Sequence, residues 1–357
     1  MTHHLAKIAL TDMQAELRDQ AMRFCADKSP IASVRALITS ESGFDTDVWS
    51  EMAALGWLGI AVPETYDGLG LELADLVPIV EAMGKHLMHS PFVPTTMVAQ
   101  AILAGGSEAQ KAEWLPKLTS GTIATLGLFE ASGAWDLNAV EGKTKTFVMD
   151  LDVADIVVTT VKHDGETRLA IIPRDRITAR RETIIDEMKR SYAFDVPDIT
   201  DTDLMPADFT SAALERIELV ANLLQAAELS GAAAACVNYT VEYLQTRKQF
   251  GKVIGAFQAL KHPTVDAFVD AEGARSLLYA AATHVEKQGD GEIAVRMANA
   301  KAEGALSYAA DRSIQFHGGF GFTYDCDAQL YRRKAMFAAS QFGDAGFHRA
   351  RLAELLL

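Results

Sequence analysis

The sequence predicts a mainly helical α+β protein. It would have an N-terminal helical domain over residues 1–120, a small middle β-barrel or sheet domain over 121–206, and a C-terminal four-helix-bundle domain over 207–357. Three observations carry this. A helical period of apolar residues fills the first third and returns after residue 207. Between them lie short runs rich in β-branched and aromatic residues, separated by Gly and Asp. And one pattern of about forty residues, starting at Ser211, needs neighbours along both sides, which a bundle supplies.

Taken in order, "TDMQAELRDQAMRFCAD" spaces Met13, Leu17, Met22 and Phe24 at helical intervals, with Thr11 as N-cap. "DTDVWSEMAALGWLGI" repeats the pattern with Trp49, Met52, Leu55 and Trp57. "AVPETYDGLGLELADLVPIVEAMGKHL" reads as a punctuated loop before another amphipathic helix. "SEAQKAEWLPKLTSG" reads as a short helix ended by Pro and Gly. The runs "TIATLGLF", "KTFVMDL", "DIVVTTV", "TRLAIIP" and "YAFDVPD", with a turn at "HDGE", predict a small antiparallel sheet or barrel. Two further helices follow in "VDAFVDAEGARSLLYAAATHVE" and "EIAVRMANAKAEGALSYAADRSIQFHG". His262 before Pro263 marks a helix interruption.

Composition narrows the function. The chain has 357 residues, 49% of them hydrophobic, enough for a substantial core. A formal charge of -15 disfavours nucleic acid and anionic membrane surfaces as partners, because both recognise clustered Lys and Arg. No run of about 18 apolar residues stands out, so no membrane span is expected. Cys25, Cys236 and Cys326 share no metal or redox spacing and read as free thiols of a reducing compartment, which places the protein in the cytoplasm. His3 and His4 read as tail residues, no metal site is expected, and the N-terminus lacks the pattern of a signal peptide.

One stretch raises a sharper question. "TRKQFGKVIGAFQALKH" sets Arg247, Lys248 and Gln249 ahead of Phe250, Ile254 and Phe257, read as an apolar ladder on one helix. Such a stretch either packs and is solvated, or holds something flat and anionic. Arg suits the second use, since its planar fork can grip two phosphate oxygens. "QFHGGFGF", residues 315–322, adds Gly318, Gly319 and Gly321, where backbone can approach a ligand closely.

These two motifs, 68 residues apart from Arg247 to Gln315, resemble the acyl-CoA dehydrogenase family. Trp49, "LGWLGI" and "VPETYDGLG" match the family's N-terminal pattern, so the resemblance spans nearly the whole chain. It implies FAD as cofactor, an acyl-CoA substrate and an oligomer. The family reaction takes a proton from Cα with a carboxylate base and a hydride from Cβ with the flavin. Carried over residue by residue, the cofactor-binding positions are Arg247, Gln249, Phe250, Phe257, Gln258, Gln315, Gly318 and Gly319. In the family these motifs reach the FAD of a neighbouring subunit.

The chain departs from the family where the base should stand. The usual position, in a Tyr-Glu-Gly-Thr stretch, is Phe342, followed by Gly343 and then Asp344 in place of Thr. The rarer position, 26 residues before Arg247, is Ala221. The flavin contacts of the family's β domain are also eroded. In "LFEASGAWD" only Glu130, Gly133 and Asp136 match, "LNAVEGK" is short, and Phe147 and Met149 replace Trp and Thr. One half, serving a neighbour's flavin, is kept; the other is not. The resemblance therefore implies a subunit of a hetero-oligomer, paired with a longer family member whose site it completes. Two alternatives stand beside it: a homomeric enzyme with a displaced base, Asp344 or Glu218, and a non-catalytic structural subunit. Glu215 and Glu228 share the long helix with Glu218 and read as solvated. His317 is either a flavin or adenine contact or a packed side chain. Arg190 reads as structural, packing the β domain on the bundle.

Overall fold

The computed structural model describes residues 10–287 and 290–357; His3 and His4 lie outside them. In chain order the helices and strands are α1 (Asp12–Lys28), α2 (Ile31–Thr39), α3 (Thr46–Ala54), α4 (Val77–Lys85), α5 (Phe92–Gly105), α6 (Glu108–Thr119), β1 (Ala124–Gly127), β2 (Thr144–Met149), β3 (Ile156–His163), β4 (Glu166–Pro173), β5 (Arg180–Glu182) and β6 (Ser191–Asp195). Then follow α7 (Thr210–Thr246), β7 (Lys248–Gln249), β8 (Lys252–Val253), α8 (Gln258–Ala282), α9 (Asp290–His317), α10 (Ala328–Ala338) and α11 (Ala345–Leu356). The mainly helical α+β class holds, with β1 to β6 falling between the two helical stretches. The chain forms two compact units: one of the described part of Met1–Ile31 with Val77–Met88 and Asn222–Leu357, the other of Ala32–Leu76 with His89–Ala221.

The second unit contains two three-stranded sheets, ordered β1-β3-β4 and β2-β6-β5. The expectation of an antiparallel sheet is corrected in one place: β1 runs parallel to β3, with Ala124 opposite Ile156. The chain between them goes off to make β2 in the other sheet, and such a crossover permits parallel pairing. β3 and β4 form the expected hairpin; Asp164 and Gly165 take φ of 51° and 84°, the pair a two-residue turn needs. Val148, Val157, Ile172 and Phe194 fill the core. β5 carries only Arg and Glu, the charged face of a short edge strand, and left no hydrophobic trace in the sequence. α5 is buried along nearly its whole length, so no polar face marked it either.

Arg190 has a different job from the one expected. Its buried guanidinium donates to the carbonyls of Leu37 (2.8 Å), Ile38 (2.9 Å) and Ser40 (2.8 Å), and to that of Glu187 (2.8 Å). The last turn of α2 leaves carbonyls without helical partners, and a cation is a fitting donor there. Arg190 thus joins β6 to the α2–α3 connection within one unit.

The first unit is organised by a helix crossing. A Cβ on Gly84 of α4 would lie 1.9 Å from the carbonyl oxygen of Glu228, and one on Gly231 of α7 would lie 2.0 Å from that of Glu81. Glycine at both positions lets the two backbones touch. Beside this crossing the buried Glu81 carboxylate accepts from Arg275 Nε and from the Tyr279 hydroxyl of α8, both at 2.6 Å. A buried carboxylate is tolerated because both oxygens have donors. Glu228 is not solvated: it pairs with the buried Lys334 of α10.

Both prolines expected to break helices are absorbed. Pro116 sits in the last turns of α6 and Pro263 early in α8, each losing one helical hydrogen bond. Thr11 caps α1 as expected, its hydroxyl accepting from Gln14 N–H at 3.1 Å. The stretch Ala207–Thr246 is long and apolar enough to cross a membrane, contrary to the reading of the sequence, but most of its apolar window is buried inside the protein, as in a core helix. All three cysteines are free and buried.

The crossing gives a test. Gly231→Ala should lower unfolding stability by on the order of 3 kcal/mol, read as a fall in the denaturant midpoint, because backbone cannot move aside cheaply. Gly304→Ala, in α9 where a Cβ meets nothing within 4 Å, should leave stability unchanged or raise it by up to ~1 kcal/mol.

Candidate functional site

The stretch that opens on Arg247 is a hairpin, not a helix. α7 stops at Thr246. β7 and β8 pair Lys248 with Val253 and Gln249 with Lys252. Phe250 and Gly251 make the turn at φ of 53° and 79°, a left-handed pair that no α-helix accommodates. The base of the hairpin is closed by the Arg247 carbonyl, which accepts from Ile254 N–H at 2.8 Å. Phe250, Ile254 and Phe257 therefore form no ladder. Phe250 stands at the tip, 89% exposed. Ile254 is buried, and Phe257 caps α8 with its ring edge-on to Phe250 at 6.1 Å. Arg247, Lys248, Gln249 and Gln258 are exposed.

The second motif ends α9. After His317, residues Gly318–Phe322 make a tight 3-10 turn. Its glycines have different reasons. Gly321 is required by the chain itself, since a Cβ there would lie 2.2 Å from the Ile314 carbonyl oxygen. Gly318 has φ of 62°. Gly319 has neither constraint: a Cβ would meet nothing within 4 Å. Gln315, Gly318 and Gly319 face solvent. The two motifs share one end of the bundle, because the Tyr243 ring of α7 stacks on the His317 ring at 4.0 Å. His317 is packed, and Tyr239 and Tyr243, which the sequence reading passed over, hold it. Two tyrosines four residues apart near the end of a long helix were the available signal. An exposed guanidinium, three side-chain amides and an open glycine backbone suit a flat anionic ligand such as FAD.

The positions of the missing base are also described. Phe342 is half-buried with φ of 54°, and Gly343 follows at 109°. Asp344 caps α11, its Oδ1 accepting from Phe347 N–H at 2.7 Å. Ala221 is buried, Glu218 half-buried, and the exposed Glu215 accepts from the Ser211 hydroxyl at 3.0 Å. Behind Gly343 lies the buried imidazole of His348. Its Nδ1 faces Arg296 Nη1 at 3.3 Å and its Nε2 faces the Asn299 side-chain amide at 3.2 Å. A guanidinium can only donate, and the Asn299 side-chain nitrogen, which donates to Asn222 Oδ1 at 2.6 Å, is a donor too, so the ring stands between two donors. Burial, with the neighbouring Arg296 charge, pushes the His348 pKa down to about 4.

In the β region only part of the motif is turned inward: Glu130 is buried, while Gly133, Asp136 and Phe147 are exposed. Glu130 accepts from Lys145 Nζ at 2.6 Å and from the N–H groups of Glu141 and Gly142. Burial pushes its carboxyl up, but these donors outweigh that and hold it below the usual range. Asp136 accepts from Asn138 N–H at 3.0 Å. Gly133 takes φ of 69°, and a Cβ there meets nothing within 4 Å. Phe147 lies at a bulge where β2 slips register against β6, with φ of 55°. The next residue but one, Met149, bonds the Thr125 hydroxyl through its carbonyl. Among the described residues no group of His, Cys, Asp and Glu is placed to hold a metal.

Comparison with known proteins decides the family. Residues 11–122 match the family profile "Acyl-CoA dehydrogenase, N-terminal domain", and residues 214–357 match "Acyl-CoA dehydrogenase, C-terminal domain". The acyl-CoA dehydrogenase IpdE2 of Mycolicibacterium smegmatis is 33% identical over 315 residues, covering 87% of this chain and 88% of that protein. The chain belongs to the acyl-CoA dehydrogenase family. Family membership makes it an oxidoreductase and implies FAD as cofactor. Among solved structures, a variant of the Tcur3481-Tcur3483 steroid acyl-CoA dehydrogenase is 27% identical with a TM-score of 0.85, over 96% of this chain and 97% of that one. The ChsE4-ChsE5 complex from Mycobacterium tuberculosis shares the acyl-CoA dehydrogenase fold, at 22% identity and a TM-score of 0.88 over 98% and 99% of the two chains.

His348 gives this end of the acyl-CoA dehydrogenase unit a pH signature. Its folded pKa lies below the unfolded value of 6.5. The unfolded state therefore binds the extra proton first as pH falls, and stability is lost from about pH 6.5 downward toward 4. The loss should approach on the order of 3 kcal/mol at the lower limit. Denaturant midpoints measured from pH 7 to 4.5 should fall less steeply for His348→Gln than for the native protein.

Proposed function

We propose that this chain is the flavin-completing subunit of a heteromeric acyl-CoA dehydrogenase. A longer family member would hold most of the FAD and supply the base for α,β-dehydrogenation of a CoA thioester. This chain would lend Arg247, Gln249 and the open turn at Gly318 and Gly319. The observation that carries the reading is the contrast between the two halves. Gly319 lacks a side chain where nothing in its own chain needs the space, and Phe250 is presented bare at a hairpin tip. Meanwhile Phe342 and Ala221 offer no carboxylate, and Glu130 is committed to Lys145. Solved relatives named as pairs of chains, one of them a steroid enzyme, support a two-chain assembly and a bulky acyl group. Buried free thiols support a cytoplasmic setting.

The chemistry of each residue follows from its type. FAD, when bound, supplies the hydride acceptor for Cβ. The Arg247 guanidinium would neutralise pyrophosphate charge and orient it through two parallel hydrogen bonds. Backbone at Gly318 and Gly319 would approach the ligand without a Cβ between them.

Purified alone, the chain should be colourless. Co-expressed with a longer family member, it should yield a yellow complex. Arg247→Ala should weaken FAD retention by that complex roughly tenfold or more, since a charge-assisted pair is lost. Stoichiometric flavin on the chain alone, or unchanged retention in Arg247→Ala, would overturn the proposal.

A further inference from the structure

Tyr243 touches both motifs, one through its backbone and the other through its ring. Tyr243 accepts the Arg247 N–H on its carbonyl at 2.9 Å, so its position and that of the hairpin base are linked. Its ring lies 4.0 Å from that of His317, at 25° between planes. Tyr239, one turn earlier, stacks on the same imidazole at 4.9 Å and 14°. Beyond His317 the chain enters the Gly318 turn at once. The far side of the turn is tied back as well: the Tyr239 hydroxyl accepts from Asp327 N–H at 3.3 Å and lies 3.5 Å from Cys326 Sγ. Hairpin, stack and glycine turn thus form one continuous set of contacts, with His317 at the centre.

The protonation of that ring is fixed. His317 Nδ1 is 2.7 Å from the Ser313 carbonyl, which can only accept, so Nδ1 carries the proton. Nε2 is then an unprotonated acceptor, and burial lowers the pKa of the ring. A neutral imidazole in this tautomer cannot donate from Nε2 to a phosphate. Its contribution is shape.

We infer that His317 is a positioning residue for the shared dinucleotide site, clamping the Arg247 hairpin to the Gly318–Gly319 turn through its stack with Tyr239 and Tyr243. This rests on the proposed function above. Two ring stacks of this kind are together worth about a tenfold change in an equilibrium constant.

The test uses the complex with its partner subunit, and FAD as the probe. His317→Ala should weaken FAD binding about tenfold and speed tryptic cleavage within the hairpin at Lys248 and Lys252. His317→Phe, which keeps a ring in the stack, should restore both to near the native level. If His317→Ala matches the native protein in both readouts, or if His317→Phe falls as far as His317→Ala, the inference is wrong. The tryptic readout needs no bound FAD. A failure of the subunit proposal, seen as unchanged FAD binding in Arg247→Ala, is therefore distinguishable from a failure of the clamp.

Discussion

The contact of α4 with α7 at Gly84 and Gly231 constrains everything else in the larger helical unit. Two backbones that touch cannot slide or rotate without collision, so the crossing fixes α7 in both position and rotation. From that follow the placing of Glu81 against Arg275 and Tyr279, and of Glu228 against Lys334. Glu81 is buried and Glu228 half-buried, and either would be costly to unpair if the helices were displaced. The face of α7 that carries Tyr239 and Tyr243 is oriented by the same crossing. The geometry of the end that carries the two motifs is thus inherited from the close backbone approach at Gly84 and Gly231.

The β unit and the bundle end differ in where their polar groups are spent. In the β unit, the buried Glu130 and Lys145 are satisfied by each other and by their own chain, and buried groups arranged in this way have nothing left to offer a ligand. At the bundle end, Arg247, Gln249 and Gln315 are exposed and the glycine turn is open.

Much of this was legible in the sequence where the signal is local. The Thr11 cap, the Asp164–Gly165 turn and the strands of the middle region depend on residues within a few positions of each other. The two motifs were legible too, as residue types at a fixed spacing. What escaped was set by tertiary contact. α5 has no polar face because it is buried all round. Arg190 finds its carbonyl partners about 150 positions away, at Leu37, Ile38 and Ser40. The hairpin after α7 was missed because Phe250 disguises the turn: a left-handed phenylalanine is rare, and the helical pattern runs straight up to it. In the sequence His317 is ambiguous between ligand and packing because its tyrosine neighbours lie on another helix.

Phe250 has one more consequence. An asparagine at its position would take the left-handed conformation with less strain and would remove an exposed aromatic ring. The residue that best suits the isolated chain is therefore not the one that is present. At this tip, thermal robustness of the single chain and the presentation of an exposed aromatic ring pull in opposite directions. An engineer who optimised the turn for melting temperature alone would improve the monomer while eroding what the hairpin presents to its surroundings.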